Sequence, residues 1–202
     1  MKPHRTSAAT ATGLALTLAL TLGACGAQAE PGADGQSAAA TDPTAHNEAD
    51  TTFAQMMVVH HEGAIEMARL AAEQASTDEV RALGERIATA QGPEIDLMRS
   101  WLQAWAEPAP EDAAMGGMEH GGMDMEGLSQ DEVMAELSGL DGVELDRRFL
   151  ELMTDHHRGA IEMAGDQRAD GENAEAVQLS GKIIDDQTAE ITQMSRLLDE
   201  LE

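Results

Sequence analysis

The chain is poor in cysteine, in aromatic residues and in positive charge. Its 202 residues include one Cys, no Tyr, two Phe and two Trp, and only 12 Lys and Arg stand against 38 Asp and Glu. A single Cys excludes an internal disulfide, a cysteine-based zinc site and a CxxC redox pair. The net charge of −26 argues against nucleic acid and against an anionic membrane surface as partners, because both attract clustered Lys and Arg.

The shortage of aromatic and β-branched residues also argues against a β-sandwich. The chain is instead rich in Ala, Leu, Met, Glu and Gln, which favour helices. Its 13 Met residues are an excess that helix formation alone does not explain. The composition therefore predicts an acidic, all-α protein.

The N-terminus has the pattern of an export signal. Lys2 and Arg5 precede an uncharged stretch, 7–22, that is too short for a stable membrane span. The following Leu22-Gly23-Ala24-Cys25 resembles the bacterial lipobox, which implies cleavage after residue 24 and lipidation of Cys25. The alternative is an ordinary secretion signal with a chance Cys. We predict a lipoprotein signal peptide over 1–24 and export to the outer face of a cell membrane, where the lipid anchors the protein.

Residues 25–50 are rich in Ala, Gly, Pro, Ser and acidic side chains and lack apolar periodicity. They predict a disordered tether between the anchor and the folded domain.

An internal repeat organises the remaining domain, predicted over 51–202. Residues 53–105 align with 149–201 at a constant offset of 96, and 18 of the 53 positions are identical. Two copies are too few for a solenoid but suit two helical hairpins packed as a four-helix bundle. Residues 107–128, between the copies, carry Pro and Gly and predict a loop.

Local signals add detail to this architecture. Ser76 and Glu79 fit a capping box at the start of the second helix. Gly92-Pro93 predicts a kink in that helix rather than a division into two. Ser129 and Glu132 predict a short extra helix at about 130–138.

Histidine and methionine share helix faces in both repeats. Residues three, four and seven apart lie on one face, so Met57, His60 and Met67 form a stripe with His61 at its edge. A hairpin would bring two His, three Met and one Glu together. The predicted metal ligands are Met57, His60, His61, Met67 and Met98 in the first repeat, and Met153, His156, His157, Met163 and Met194 in the second. Soft thioethers favour Cu(I) over harder ions.

Two other interpretations stay open for these positions. Di-iron bundles use Glu-x-x-His, whereas this chain has Met-x-x-His twice, which argues against a ferritin-like oxidase. Alternatively, the His residues are hydrogen-bonded core residues and the Met residues fill the core. Glu94 and Glu190 are the predicted hydrogen-bond partners of the His residues in either account.

The loop between the repeats is a separate candidate site. Four of the 11 residues from 115 to 125 are Met, against nine in the other 191. A Gly-rich exposed loop has no core to fill, so we predict metal binding by Met115, Met118, His120, Met123 and Met125. The alternative is a linker with chance Met residues.

The motif His-His-x-Gly-Ala-Ile-Glu-Met-Ala, at 60–68 and again at 156–164, resembles the signature of domain-of-unknown-function family 305. The second-helix residues from Gln91 to Leu102, and from Gln187 to Leu198, resemble it as well. The resemblance implies a ferritin-like four-helix bundle, usually exported, with copper binding and resistance in some members. It implies as ligands the same His and Met positions on the helices.

Together these patterns predict an extracytoplasmic copper-binding lipoprotein without enzymatic activity. It would sequester or transfer Cu(I), and possible further ions are Ag(I) and Cu(II). The sequence assigns no protein partner and no oligomeric state.

Overall fold

The computed structural model describes residue 42, residues 44–111 and residues 127–202. The signal peptide, Cys25, most of the tether and the loop residues Met115, Met118, His120, Met123 and Met125 lie outside them. The described chain forms five helices: α1 (Glu48–Gln74), α2 (Asp78–Trp105), α3 (Gln130–Ser138), α4 (Gly142–Asp170) and α5 (Ala174–Glu200). The all-α prediction is confirmed, and α1–α2 and α4–α5 are the two repeated hairpins.

The two hairpins meet through their first helices, which run antiparallel. The Asn47 side chain, at the start of α1, donates to the Asp170 carbonyl at the end of α4, 2.8 Å away. At the opposite end, Ser76 follows α1 and bonds to Asp146 in the first turns of α4. The short helix α3 lies against both, and Gln130 donates to the Gly63 carbonyl of α1. This arrangement relates the repeats by an approximate two-fold axis between α1 and α4.

A buried aspartate near the start of each hairpin binds the turn of the other hairpin. Asp146 accepts hydrogen bonds from the amides and hydroxyls of Ser76 and Thr77, over 2.6–2.9 Å. Asp50 accepts from the amides of Glu172 and Asn173, at 3.1 and 3.0 Å. Both carboxylates are wholly buried. Because charge-assisted hydrogen bonds are strong, this reciprocal pair ties the two hairpins together.

The predicted capping box at Ser76 is wrong. The residue that caps α2 is Thr77, whose hydroxyl accepts from the Val80 amide at 3.4 Å. Ser76 is not available as a cap, because both its amide and its hydroxyl donate to Asp146. A tertiary contact therefore moved the start of the helix by one residue.

The predicted short helix and the undivided second helix are confirmed, the kink at Gly92-Pro93 stays a prediction, and one boundary changes. Helix α3 spans the predicted range, with a capping box between Ser129 and Glu132. Helix α2 is one element with Pro93 inside it. The predicted tether ends too late, because α1 already begins at Glu48 and Asn47 caps it. None of the described helices is both long and apolar enough to cross a membrane.

Candidate metal centre

Four histidines form a layer across the middle of the bundle. His60 on α1 and His156 on α4 face each other with ring centroids 3.6 Å apart and planes inclined by 45°. His61 and His157 adjoin them, and all four are buried. Along α1 and α4 these residues stand between two separate apolar clusters. The predicted histidines of both repeats are therefore brought together in one place.

Each repeat also pairs one histidine with a glutamate of its second helix. His61 Nε2 lies 2.9 Å from Glu94 Oε2, and His157 Nε2 lies 2.7 Å from Glu190 Oε2. Both imidazoles are fully buried, while the carboxylates reach the surface with 13% and 22% of their side chains exposed. The predicted pairing of Glu94 and Glu190 with histidines is thus confirmed, and both carboxylates lie on the outer side of the histidine layer.

The remaining ring nitrogens decide what this layer can do. The Nδ1 atoms of His61, His156 and His157 are buried and have no hydrogen-bond partner among the described residues. When a carboxylate fixes the proton on Nε2, Nδ1 keeps its lone pair, which is the arrangement of a carboxylate–histidine–metal triad. A purely structural histidine would normally have both nitrogens satisfied, because an unpaired buried polar atom is costly.

The electrostatics at His156 favour the neutral imidazole. Burial, together with the neighbouring His60, His157 and His61, holds the pKa of His156 well below its usual value. Since a metal binds the neutral ring, this burial reduces the competition between metal and proton at His156.

The carboxylate of Glu94 is held in its charged form. Burial alone would raise the pKa of Glu94, but hydrogen bonds from His61 and Lys182 outweigh it and lower the pKa. Lys182 Nζ lies 2.8 Å from Glu94 Oε1, and sequence reasoning missed this contact because it joins different hairpins.

The predicted grouping of the three methionines of one hairpin is wrong. Met57 and Met98 lie in one apolar cluster, but Met67 lies in the other. The reason is the antiparallel crossing of α1 and α4, which exchanges the third methionine between repeats. Met163 of the second repeat thus lies in the cluster of Met57 and Met98. Met67 of the first repeat lies in the cluster of Met153 and Met194.

Thioethers flank the histidine layer on both sides as a result. Five of the six repeated methionines are fully buried, and Met163 is partly buried. Across the described residues, no three His, Cys, Asp or Glu side chains form a group that could hold a metal ion. A site in the bundle must therefore add thioethers or serve an ion of low coordination number. Both conditions suit Cu(I) and Ag(I) better than a hard divalent ion.

Comparison with known proteins places this bundle in a family. The model of the domain of unknown function DUF305 matches residues 50–198. The crystal structure of a putative secreted DUF305 protein from Streptomyces coelicolor is 35% identical with a TM-score of 0.68, covering 76% of this chain and 93% of that one. A DUF305 fragment from Deinococcus radiodurans is 27% identical with a TM-score of 0.66, covering 76% and 97%.

CopM in its Cu(II)-bound form is 33% identical with a TM-score of 0.63, covering 76% of this chain and 97% of CopM. CopM has also been solved with Cu(I) and with Ag bound. A comparison with curated proteins finds no match. The family match over most of the chain, together with these structures, shows that the protein belongs to the DUF305 family.

Proposed function

We propose that the protein is an exported copper-binding protein that holds Cu(I), and also Ag(I) or Cu(II), for sequestration or transfer. The observation that carries this proposal is the buried histidine layer, in which His61 and His157 combine a glutamate-bonded Nε2 with a buried Nδ1 that has no partner among the described residues. The similarity to CopM, which was crystallised with copper and silver, supports it.

The proposal places copper at two classes of site. The first is the bundle interior, where His60, His61, His156 and His157 supply nitrogen and the flanking thioethers supply sulfur. The second is the loop, where Met115, Met118, Met123 and Met125 stand close to His120 in sequence. It assigns the protein no reaction, since nothing beyond ligation is required of these groups.

The proposal also includes a lipid anchor on Cys25, which rests on the lipobox pattern. Mass spectrometry of the N-terminal peptide from membrane-extracted protein tests it, because a diacylated Cys25 is expected. An unmodified N-terminus at another position would remove the anchor and leave the copper proposal intact.

Titration of the full chain with Cu(I) against a competing chelator tests the function. We expect several tightly bound ions per chain. Changing the four loop methionines to Leu should lower the stoichiometry and leave the melting temperature unchanged, because the sequence predicts that this Gly-rich segment has no core to fill. Binding no tighter than that of a generic acidic protein would rule the proposal out.

A structural role for the histidines is the competing account, and the His61–Glu94 and His157–Glu190 hydrogen bonds favour it. The two accounts differ in the effect of metal on stability. A ligand that binds only the folded state, at a free concentration of about 100 times its Kd, adds about 2.7 kcal/mol to the free energy of unfolding. We therefore expect Cu(I) to raise the melting temperature of the loop variant. If the histidines have only a structural role, Cu(I) should not change it.

A further inference from the structure

The second helices of the two hairpins leave a groove between them. It has a volume of about 600 Å³, and residues of α2 and α5, including equivalent pairs from the two repeats, line it. Two such pairs are Gln91 with Gln187, and Glu94 with Glu190, each 96 residues apart. Because Glu94 and Glu190 bond to His61 and His157, the groove lies directly outside the histidine layer.

Two buried amides line this groove without full hydrogen bonding. Gln91 and Gln187 are 4% and 3% exposed, and the Oε1 atom of each has no partner among the residues that the structure describes. An unpaired buried carbonyl oxygen is costly, and a cation relieves that cost. Oxygen is a weak ligand for Cu(I) compared with imidazole or thioether, so Cu(I) would be held briefly.

The groove has two arms, one leading past Glu94 to His61 and the other past Glu190 to His157, and the two glutamates differ in their cationic neighbours. Lys182 lies beside the first arm and joins Glu94 at 2.8 Å and Asp186 at 2.6 Å, so Glu94 is held by both His61 and Lys182. The residue equivalent to Lys182 in the first repeat is Arg86. Arg86 lines the groove, but its guanidinium donates to Gln193, 2.9 Å away, instead of to Glu190.

Among the described residues, Glu190 consequently has His157 as its hydrogen-bond partner and no Lys or Arg in an ion pair with it. It is also more exposed than Glu94, at 22% against 13%.

We propose that this groove is the copper port of the bundle, with Glu190 and the oxygens of Gln91 and Gln187 as its receiving site and with Lys182 closing the arm that leads to His61. The inference rests on the proposed function, because it supplies the route to the buried ligands. An ammonium group on Glu94 repels an incoming cation and holds the carboxylate in place. A port must bind an ion weakly enough to pass it on, which oxygen ligands allow.

Copper release from the full chain tests this port. The four loop methionines are first changed to Leu so that only bundle sites report. The protein is loaded with Cu(I) under reducing conditions and mixed with excess chromogenic chelator in a stopped-flow instrument. We expect two phases of similar amplitude, the fast one through Glu190 and the slow one past Lys182.

Lys182→Met is the decisive variant, because its ammonium is largely exposed and its loss does not threaten the fold. It should accelerate the slow phase about tenfold at unchanged stoichiometry, the effect expected from removing one ion pair on a partly buried carboxylate. The matched control, Arg86→Met at the equivalent position, should change both phases far less than Lys182→Met does, because Arg86 bonds to neither glutamate. Changing Gln91 and Gln187 together to Leu should slow both phases.

Three results would overturn the port. One is an unchanged slow phase in Lys182→Met when the parent protein loads normally. Another is equal acceleration by Arg86→Met, which would show a general charge effect. The third is that the rates of both release phases stay unchanged when Gln91 and Gln187 are replaced by Leu. A parent protein that binds no copper would instead overturn the proposed function, and the port with it.

Discussion

The two repeats are alike at the positions where one hairpin contacts the other. They differ at positions that face solvent or that pack between the two helices of one hairpin. Asp50 and Asp146 bind the opposite hairpin in the same way, and the glutamate-bonded histidine recurs in both halves. By contrast, Gly84 is replaced by Ser180 at the equivalent position, and Arg86 by Lys182. The shared positions therefore maintain the two-fold core, and the divergent ones are where the halves can differ in packing and in access.

The largest expected effect comes from breaking the shared aspartates. Asp146→Ala leaves the amides of Ser76 and Thr77 without their acceptor, and each buried unsatisfied group costs about 1–3 kcal/mol. We expect a loss of about 3 kcal/mol or more in the free energy of unfolding, measured by urea denaturation. Asp50→Ala should cost a similar amount, because it deprives Glu172 and Asn173 in the same way.

The matched controls are Asp146→Asn and Asp50→Asn, which keep an acceptor and should cost less. If one alanine variant were harmless, the reciprocal attachment of the two hairpins would be contradicted.

A smaller difference in stability is expected from substitutions at the helix–helix contact within each hairpin, where the two repeats differ. A Cβ on Gly84 would overlap the carbonyl oxygen of Ala68 and lie 3.0 Å from the Ala72 nitrogen, so α1 and α2 approach closely there. Gly84→Ala should therefore destabilise by about 1–3 kcal/mol, the usual cost of overpacking. Ser180→Ala should cost about 1 kcal/mol or less, since its hydroxyl donates only to the Val177 carbonyl of its own helix. Equal melting temperatures would show that the first hairpin is not the tighter one.

The sequence predicted the helices, the hairpins and the histidines because all three depend on short-range periodicity. It did not reveal that Met67 and Met163 exchange clusters, since that follows from the antiparallel crossing of α1 and α4. The buried aspartates were detectable, because Asp50 and Asp146 continue the 96-residue offset three positions before the aligned block. The Lys182–Glu94 contact was not, because no local pattern links residues of different hairpins.

The smallest expected effect is a pH dependence of stability that arises from a contact in the first repeat. The second repeat lacks this contact. His46 stacks on Trp105 with centroids 4.6 Å apart, whereas its equivalent is Gly142. The Thr44 carbonyl, which accepts a hydrogen bond from the ring, raises the pKa of His46, and Glu107 adds to this against the effect of burial. The stabilising contribution of His46 is thus fully present below the ordinary pKa of 6.5 and is lost as the pH rises through the raised value.

Because imidazolium quenches indole fluorescence, we expect Trp emission to increase over that same pH range. His46→Gln should abolish the transition. If the pH dependence of Trp emission persisted in this variant, it would belong to another group, and the His46–Trp105 contact would not distinguish the two repeats.

The most direct test of the histidine layer is a crystal structure of the copper-loaded protein with anomalous data at the copper edge. The account predicts anomalous peaks inside the bundle, bonded to Nδ1 of His61 and of His157 on either side of the His60–His156 contact, with a thioether sulfur adjacent. Copper confined to surface carboxylates or to the methionine loop, with no peak in the histidine layer, would contradict it.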